Sequence, residues 1–458
     1  MMYNNFAEKN YYRRGKRLKV KKGKTAMKKK LAFTLALMMT AMSFSGCGGS
    51  DSSSKTEESS ASAQSQASES AADSSSDNST AELKAPVNDG AIDVSQGCTE
   101  NMLIRSVLNE GDTSRLAAKL KYAKDNPKET TKVTFLGDSI TAGSSASSSS
   151  NQYVNQFKTW WEENVSYYVD VTNAGIGATD SYLGVHRVQK DVLDAQPDII
   201  FIEFINDVDN DFYKATIDSL IRKCLSAENN PAVVLVEMTM EDGTCPQNVH
   251  SEIGLAYNIP IISYHDAILP EVEAGNIAWT DISPDNIHPN DQGHVMLGQM
   301  LTNFASKVLE TADSAEEPAA FDAESPTGDK YANASIADKT TADTVTVTDE
   351  GSFTEASSPW NFANGWATNS GGSITFEMEF KNLGILYYKT VDGNTGSVTV
   401  NIDGEDVASV DGDFTGGWGD YATNSELYTS DESAKHTVTV TVNEGDAQNF
   451  EVLGWLIS

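Results

Sequence analysis

Four short clusters in this sequence have residue types and spacings that could do chemistry. The first is Val133-Thr-Phe-Leu-Gly-Asp-Ser139, where a β-branched and aromatic run breaks at a glycine and puts a hydroxyl on a strand-to-helix turn. A Ser or Asp at such a turn can simply cap the helix. It can also be a nucleophile, provided a base, an orienting group and oxyanion donors are found elsewhere. Asp285-Asn-Ile-His288 offers the first two, because a carboxylate three residues before an imidazole can turn back onto the ring and fix its tautomer. Asn173-Ala-Gly-Ile-Gly-Ala178 is a glycine-containing turn able to expose backbone N–H groups, and Glu203-Phe-Ile-Asn206-Asp207 adds an amide side chain.

These clusters lie at the ends of elements that would bring them to one edge. Between residues 91 and 312 short apolar runs alternate with amphipathic stretches, the pattern of a parallel sheet flanked by helices. The runs predict strands over Lys132–Leu136, Val169–Asn173, Asp198–Phe204, Ala232–Thr239 and Pro260–Tyr264. Helices are expected near Thr113–Lys124, Tyr153–Asn164, Asp180–Ala195, Phe212–Ala227, Gln247–Tyr257 and Asp291–Thr311. Ligands of open α/β sheets sit outside the carboxyl ends of the strands, where Ser139 falls.

Taken in order, Gly137-Asp138-Ser139, Asn173 with Gly177-Ala178, Asn206-Asp207 and Asp285-x-x-His288 resemble the four blocks of the SGNH (GDSL-type) hydrolases, over about 180 residues. The resemblance implies an α/β/α sandwich and a metal-free, cofactor-free ester hydrolysis. Its nucleophile would be Ser139, its general base His288 and its orienting carboxylate Asp285. The implied oxyanion hole is the Ser139 N–H, the N–H near Ala178 and the Asn206 side chain. Gly177 and Asp138 are further candidates for the cleft; His250, within Gln247-Asn-Val-His, reads first as structural and could also line it. The chain departs from the pattern where Ala178 replaces a glycine and where Phe204-Ile205 precede Asn206 without one. Asn210-Asp211 is a rival for the Asn206 role. His186 reads as a surface or groove residue, His265 and His294 as caps of strand and helix ends, and Trp160-Trp161 as core.

The ends of the chain constrain location. From Met27 a Met-Lys-Lys-Lys start, an uncharged run over Leu31–Phe44 and Ser45-Gly46-Cys47 have the form of a secretory signal, with translation expected to begin at Met27. The last three residues resemble the lipobox of bacterial lipoproteins, with Phe44 where leucine is usual, which implies a lipidated Cys47 at the outer face of a bacterial membrane. Residues 47–90 form the tether. Fourteen serines in the 38 residues 48–85, almost without apolar side chains, predict disorder. Its typical reach is roughly 30–35 Å.

Residues 1–46 hold 12 of the 33 basic residues and one of the 66 acidic ones, so the remainder carries 21 against 65, a net −44. Such a surface repels nucleic acid. With Cys47 lipidated, Cys98, Cys224 and Cys245 allow at most one disulfide, and no spacing suggests a zinc site.

After an acidic linker over 313–329, residues 330–458 turn into short alternating runs, at Thr344–Thr348, Ser373–Phe380, Gly384–Lys389, Ser397–Ile402, His436–Val442 and Phe450–Ile457, punctuated by Asp-Gly turns. They predict an antiparallel, jelly-roll-like sandwich. Val398-x-Val400-x-Ile402 followed by Asp403-Gly404 resembles the β-sandwich modules of carbohydrate-active enzymes. Trp360, Trp366 and Trp418 lie in Gly/Asn-rich segments, where they either plug the sandwich ends or stack on sugars. The whole suggests a tethered esterase for short-chain, chiefly acetyl, esters on carbohydrate. A lipase or lysophospholipase, or a glycan-binding lipoprotein with weakened chemistry, are the rival expectations.

Overall fold

The computed structural model describes residues 85–314, 318–355 and 361–458. The leader, Cys47, all but the end of the tether, and Trp360 lie outside the described residues.

Among these residues, six strands form the first sheet: β1 (Val107–Asn109), β2 (Thr131–Gly137), β3 (Val169–Gly175), β4 (Ile199–Glu203), β5 (Ala232–Glu237) and β6 (Ile261–Ser263). Their order is β1-β6-β5-β4-β2-β3, parallel except for β1 against β6. Alternation along β4 and β5 builds two cores. Ile199, Phe201, Val234 and Val236 face the helices Ser114–Asp125, Tyr153–Asn164 and Asp291–Thr311, while Ile200, Ile202, Val233 and Leu235 face Ser181–Asp191 and Asp211–Leu225. Both faces are thus covered, which is why these strands read as continuous apolar runs.

The expected α/β architecture is present. Helices Tyr153–Asn164 and Asp291–Thr311 span the residues their periodicity predicts, whereas the helix expected over Asp180–Ala195 stops at Asp191 and continues only as a 3-10 turn, Leu193–Ala195. Several elements escape the sequence, among them β1 and helix Tyr264–Glu273. β1 is three residues long, too short for periodicity to mark. Helix Tyr264–Glu273 carries Pro270 within it, and a proline reads as a breaker.

The second sheet is antiparallel throughout: β7 (Ser335–Ala337), β8 (Val345–Asp349), β9 (Thr354–Glu355), β10 (Trp366–Thr368), β11 (Ser373–Lys389), β12 (Ser397–Ile402), β13 (Glu405–Asp411), β14 (Tyr421–Val442) and β15 (Phe450–Ile457). The strands follow β13-β12-β14-β11-β15-β10-β9, with β7 on β15 and β8 on β11. The two strands expected at Ser373–Phe380 and Gly384–Lys389 are one, β11, and its register against β14 slips between Phe380 and Asn382 and again between Leu383 and Gly384. Only the last third of β14 was legible, because Tyr421–Lys435 lacks the period-2 alternation of apolar and polar residues.

Trp455, opposite Ile385, touches Phe376 nine residues earlier on β11, with ring centroids 5.2 Å apart. A straight strand would separate those positions by about 30 Å, so the bulges fold the sheet over on itself and close the sandwich. Asp403-Gly404 makes the β12–β13 hairpin with φ of 54° and 92°, the two left-handed residues that such a tight turn requires.

The two sheets share a core. Tyr331, Ala334, Leu386, Leu453 and Leu456 of the sandwich side join Tyr182, Leu183 and Leu220 of the α/β side. The expected linker is itself docked: Ser325 and Thr327 hydrogen-bond Asp218, and Asp329 pairs with Arg222. His186 belongs to this seam, buried against Tyr331, with Nδ1 2.7 Å from the Tyr182 carbonyl. It is not a surface or groove residue, and burial pushes its pKa down to about 3. His294 sits inside helix Asp291–Thr311, stacked on Tyr153, with Nε2 3.2 Å from the Ser144 carbonyl just past the end of helix Ser139–Ala142. Trp161 is core, as its position suggests, and Trp160 is half-buried with Nε1 on Ser306. Trp366 is buried in β10 instead of lying in a loop. Cys98, Cys224 and Cys245 are all free thiols.

Candidate active site

The turn after β2 is built for close approach. A Cβ on Gly137 would lie 2.1 Å from the Thr141 hydroxyl and 2.6 Å from the Glu203 carbonyl, so only glycine fits. Asp138 then caps the short helix Ser139–Ala142 by accepting the Ile140 N–H at 3.0 Å, which leaves Ser139 as its first residue. The Ser139 N–H has no intrahelical partner there.

Asp285 and His288 lie in the loop before helix Asp291–Thr311. Asp285 Oδ1 accepts the N–H groups of Ile287 and His288 at 2.9 and 2.7 Å, and this turn brings Oδ2 within 2.8 Å of His288 Nδ1. A carboxylate can only accept, so Nδ1 carries the proton and Nε2 presents its lone pair. Ser139 Oγ donates to that nitrogen at 3.0 Å. Burial raises the Asp285 pKa, but the His288 and Ile287 donors outweigh it and hold the carboxyl below its usual range. The loop is braced by Trp279 Nε1 and Ser283 Oγ, both donating to the Asp285 carbonyl, at 2.6 and 2.7 Å. Neither bracing residue carries a sequence signal.

After β3 the chain passes Gly177 and Ala178. Ala178 has φ 60°, the left-handed region that glycine tolerates and alanine rarely adopts. A Cβ on Gly177 would meet nothing nearer than Ser139 Cβ at 3.8 Å, so this turn is open toward the hydroxyl. The N–H groups of Ser139 and Ala178 donate to no carbonyl among the described residues. Asn206 reaches the same place from β4, whereas Asn210 caps helix Asp211–Leu225 through the Tyr213 N–H and does not line the cleft.

Two cleft candidates are corrected. Asp138 is fully buried behind the cleft, where its Oδ2 accepts the N–H and Nδ2 of Asn206 at 3.2 and 2.9 Å. Burial first, then the charges of Glu203 and Asp207, raise its pKa, while burial lifts Glu203 to about 7. His250 is buried as well, with Nε2 3.0 Å from Asp207 Oδ2 and Nδ1 3.3 Å from Glu237 Oε1. Burial would lower its pKa, but the carboxylates of Glu237 and Asp207 prevail and raise it to about 10. It is a buried imidazolium that neutralises acids beneath the sheet edge.

The cleft itself encloses about 570 Å³. One wall carries Ser139, Gly177, Ala178, Asn206, Asp285 and His288; the other comes from the sandwich, with Phe362, Tyr388, Trp418, Asp420 and Tyr421. Trp418 is 70% exposed and its ring lies 4.7 Å from that of Tyr421, tilted by 32°. Sequence analysis singled out Trp418 but could not say that the sandwich closes the cleft. No group of three or more His, Cys, Asp or Glu among the described residues is placed to hold a metal ion.

Comparison with known proteins places the chain in a family. Residues 135–296, which contain Ser139, Ala178, Asn206, Asp285 and His288, match the GDSL-like Lipase/Acylhydrolase family. A two-domain esterase active on acetylated mannans is 30% identical, with a TM-score of 0.70 over 78% of this chain and 98% of that one. The same esterase co-crystallised with mannopentaose gives 30% identity and a TM-score of 0.71 over 78% and 97%. No curated protein sequence matches. The α/β sheet followed by an antiparallel sandwich matches that two-domain fold, and the chain belongs to the GDSL-like lipase/acylhydrolase family of serine hydrolases that cleave esters.

Proposed function

We propose that the protein removes acetyl groups from acetylated polysaccharide through an acyl-enzyme on Ser139, while tethered outside the cell membrane. The observation that carries the reading is the sandwich wall: Trp418 and Tyr421 offer aromatic faces, and Asp420 a carboxylate, directly across the cleft from Ser139. Aromatic faces beside polar groups suit sugar rings better than a long acyl chain. Similarity to an esterase active on acetylated mannans supports the same substrate class.

In this mechanism His288 Nε2 takes the Ser139 proton as Oγ attacks the acetyl carbonyl. The N–H groups of Ser139 and Ala178 stabilise the oxyanion, beside the Asn206 amide, whose Nδ2 is held by Asp138 and the Thr179 carbonyl. His288 then gives its proton to the departing sugar oxygen, leaving acetyl-Ser139 and a free hydroxyl. A water, deprotonated by the same nitrogen, releases acetate and restores the serine. Asp285 stabilises the imidazolium in both halves. The signal-like stretch from Met27 and the lipobox-like Ser45-Gly46-Cys47 support export and a lipid anchor on Cys47, with the Ser-rich tether holding the catalytic body off the membrane.

The test is acetate release from acetylated mannan by the full-length protein and by Ser139→Ala, beside 4-nitrophenyl acetate, butyrate and octanoate. Acetate release confined to the wild type, with rates falling as the acyl chain lengthens, supports the reading. Rates that rise toward octanoate, with none on mannan, would replace it with a lipase.

A further inference from the structure

Ala178 is held in a conformation that an L side chain keeps only when its surroundings enforce it. The restraints can be traced. Thr179, next in the chain, donates its hydroxyl back to the Ile176 carbonyl at 2.7 Å, and its own carbonyl accepts Asn206 Nδ2 at 3.1 Å. Asp180 follows and takes three further donors: the Leu183 N–H at 2.8 Å on Oδ1, the Tyr213 hydroxyl at 3.2 Å on Oδ2, and Asn424 Nδ2 at 3.0 Å on Oδ1. The last comes from the other domain. Asn424 is a β14 residue paired in register with Leu386 of β11, and Leu386 is fully buried in the core shared by the two sheets.

Asn424 is therefore fixed to a rigid platform and grips the turn two residues beyond Ala178. The neighbouring contact is equally close, since a Cβ on Gly384 would lie 2.3 Å from the Tyr182 hydroxyl. Tyr182 is the second residue of the helix that Asp180 caps.

We infer that Asn424 is a positioning residue for the oxyanion hole: by hydrogen-bonding Asp180 it keeps Ala178 left-handed and its N–H aimed at the cleft, so the sandwich is a working part of the catalytic site. The inference rests on the assignment of the Ala178 N–H as an oxyanion donor. It adds a second role for the sandwich, independent of any contact with the sugar.

The experiment uses full-length protein and 4-nitrophenyl acetate, which has no sugar to reach Trp418. Asn424→Ala should lower kcat about tenfold with KM little changed, less than the ~10²–10³ typical of deleting an oxyanion donor outright. The same factor should appear on acetylated mannan. Adding Ala178→Gly to Asn424→Ala should restore most of the lost kcat, because glycine takes the left-handed conformation unaided. If Asn424→Ala does not fold, the isosteric Asn424→Leu carries the same expectations. A folded variant with wild-type kcat would overturn the inference, as would a loss that Ala178→Gly leaves unrepaired. Ser139→Ala separates the two levels: its retained activity would sink the serine mechanism itself, whereas an inactive Ser139→Ala beside an unimpaired Asn424 variant would sink only the role of Asn424.

Discussion

Asp138 Oδ2 receives two hydrogen bonds from Asn206, one from the backbone N–H at 3.2 Å and one from Nδ2 at 2.9 Å. Asp138, at the turn after β2, thus orients Asn206 in the turn after β4 and ties the two sides of the site together. Asp138→Ala should lower kcat on 4-nitrophenyl acetate by roughly 10–10², short of the ~10²–10³ typical of deleting a donor outright, with KM nearly constant. Steady-state kinetics of the two proteins would check it.

Asp285 holds the His288 tautomer through one hydrogen bond and its own turn through two more. Asp285→Asn can present its amide N–H to Nδ1 and so favour the wrong tautomer. A fall in kcat on the order of 10³–10⁴ is expected. A loss below tenfold in pre-steady-state acylation would show that the carboxylate is dispensable.

His250 sets an alkaline limit on stability. Its pKa is raised from the ordinary 6.5 to about 10, so the folded state binds the proton more tightly than the unfolded chain. The stabilisation is complete below pH 6.5 and is lost as pH rises toward 10. His250→Ala removes the cation between Asp207 and Glu237, and should cost about 3–5 kcal/mol near neutral pH. Urea unfolding from pH 6 to 10 should show the wild type losing stability across that window and the variant a flatter profile.

Trp418 is exposed on the sandwich wall of the cleft. Trp418→Ala should raise KM for acetylated mannan roughly 3–10-fold, the range of one aromatic contact, and leave 4-nitrophenyl acetate unaffected. Equal KM values on the polysaccharide would mean that the ring does not touch it.

Gly384 lets the sandwich close onto the α/β body. A methyl group there would press on the Tyr182 hydroxyl and, at 2.9 Å, on the Ser425 carbonyl. Gly384→Ala should destabilise the protein by about 1–3 kcal/mol, read as a lower thermal midpoint.

Legibility followed how local each feature is. Asp285 and His288 are three residues apart, and the turn that joins them is made by the backbone between them, so their spacing alone predicted their contact. Ser139 was visible because the β-branched and aromatic run Val133–Leu136 breaks at Gly137 just before it. His250, within Gln247-Asn-Val-His, reads as a structural residue or a cleft residue, and its helix turns the ring inward to Asp207 and Glu237. That choice depends on carboxylates 43 and 13 positions away along the chain, and no periodicity records it.

The sequence by itself determined the order of parallel strands and helices, the four chemical clusters at the strand ends, the family resemblance and the Asp-Gly turns of a second, antiparallel domain. Each rests on a local physical rule: side-chain period, turn conformation, or the short reach of one residue to another. Only the tertiary structure decided that β11 is one bent strand, that Asp138 works from behind the cleft, and that Trp418, Tyr421 and Asn424 reach the catalytic domain. Those outcomes depend on an apolar core shared between two domains, in which residues more than two hundred positions apart, such as Asp180 and Asn424, become hydrogen-bonded neighbours.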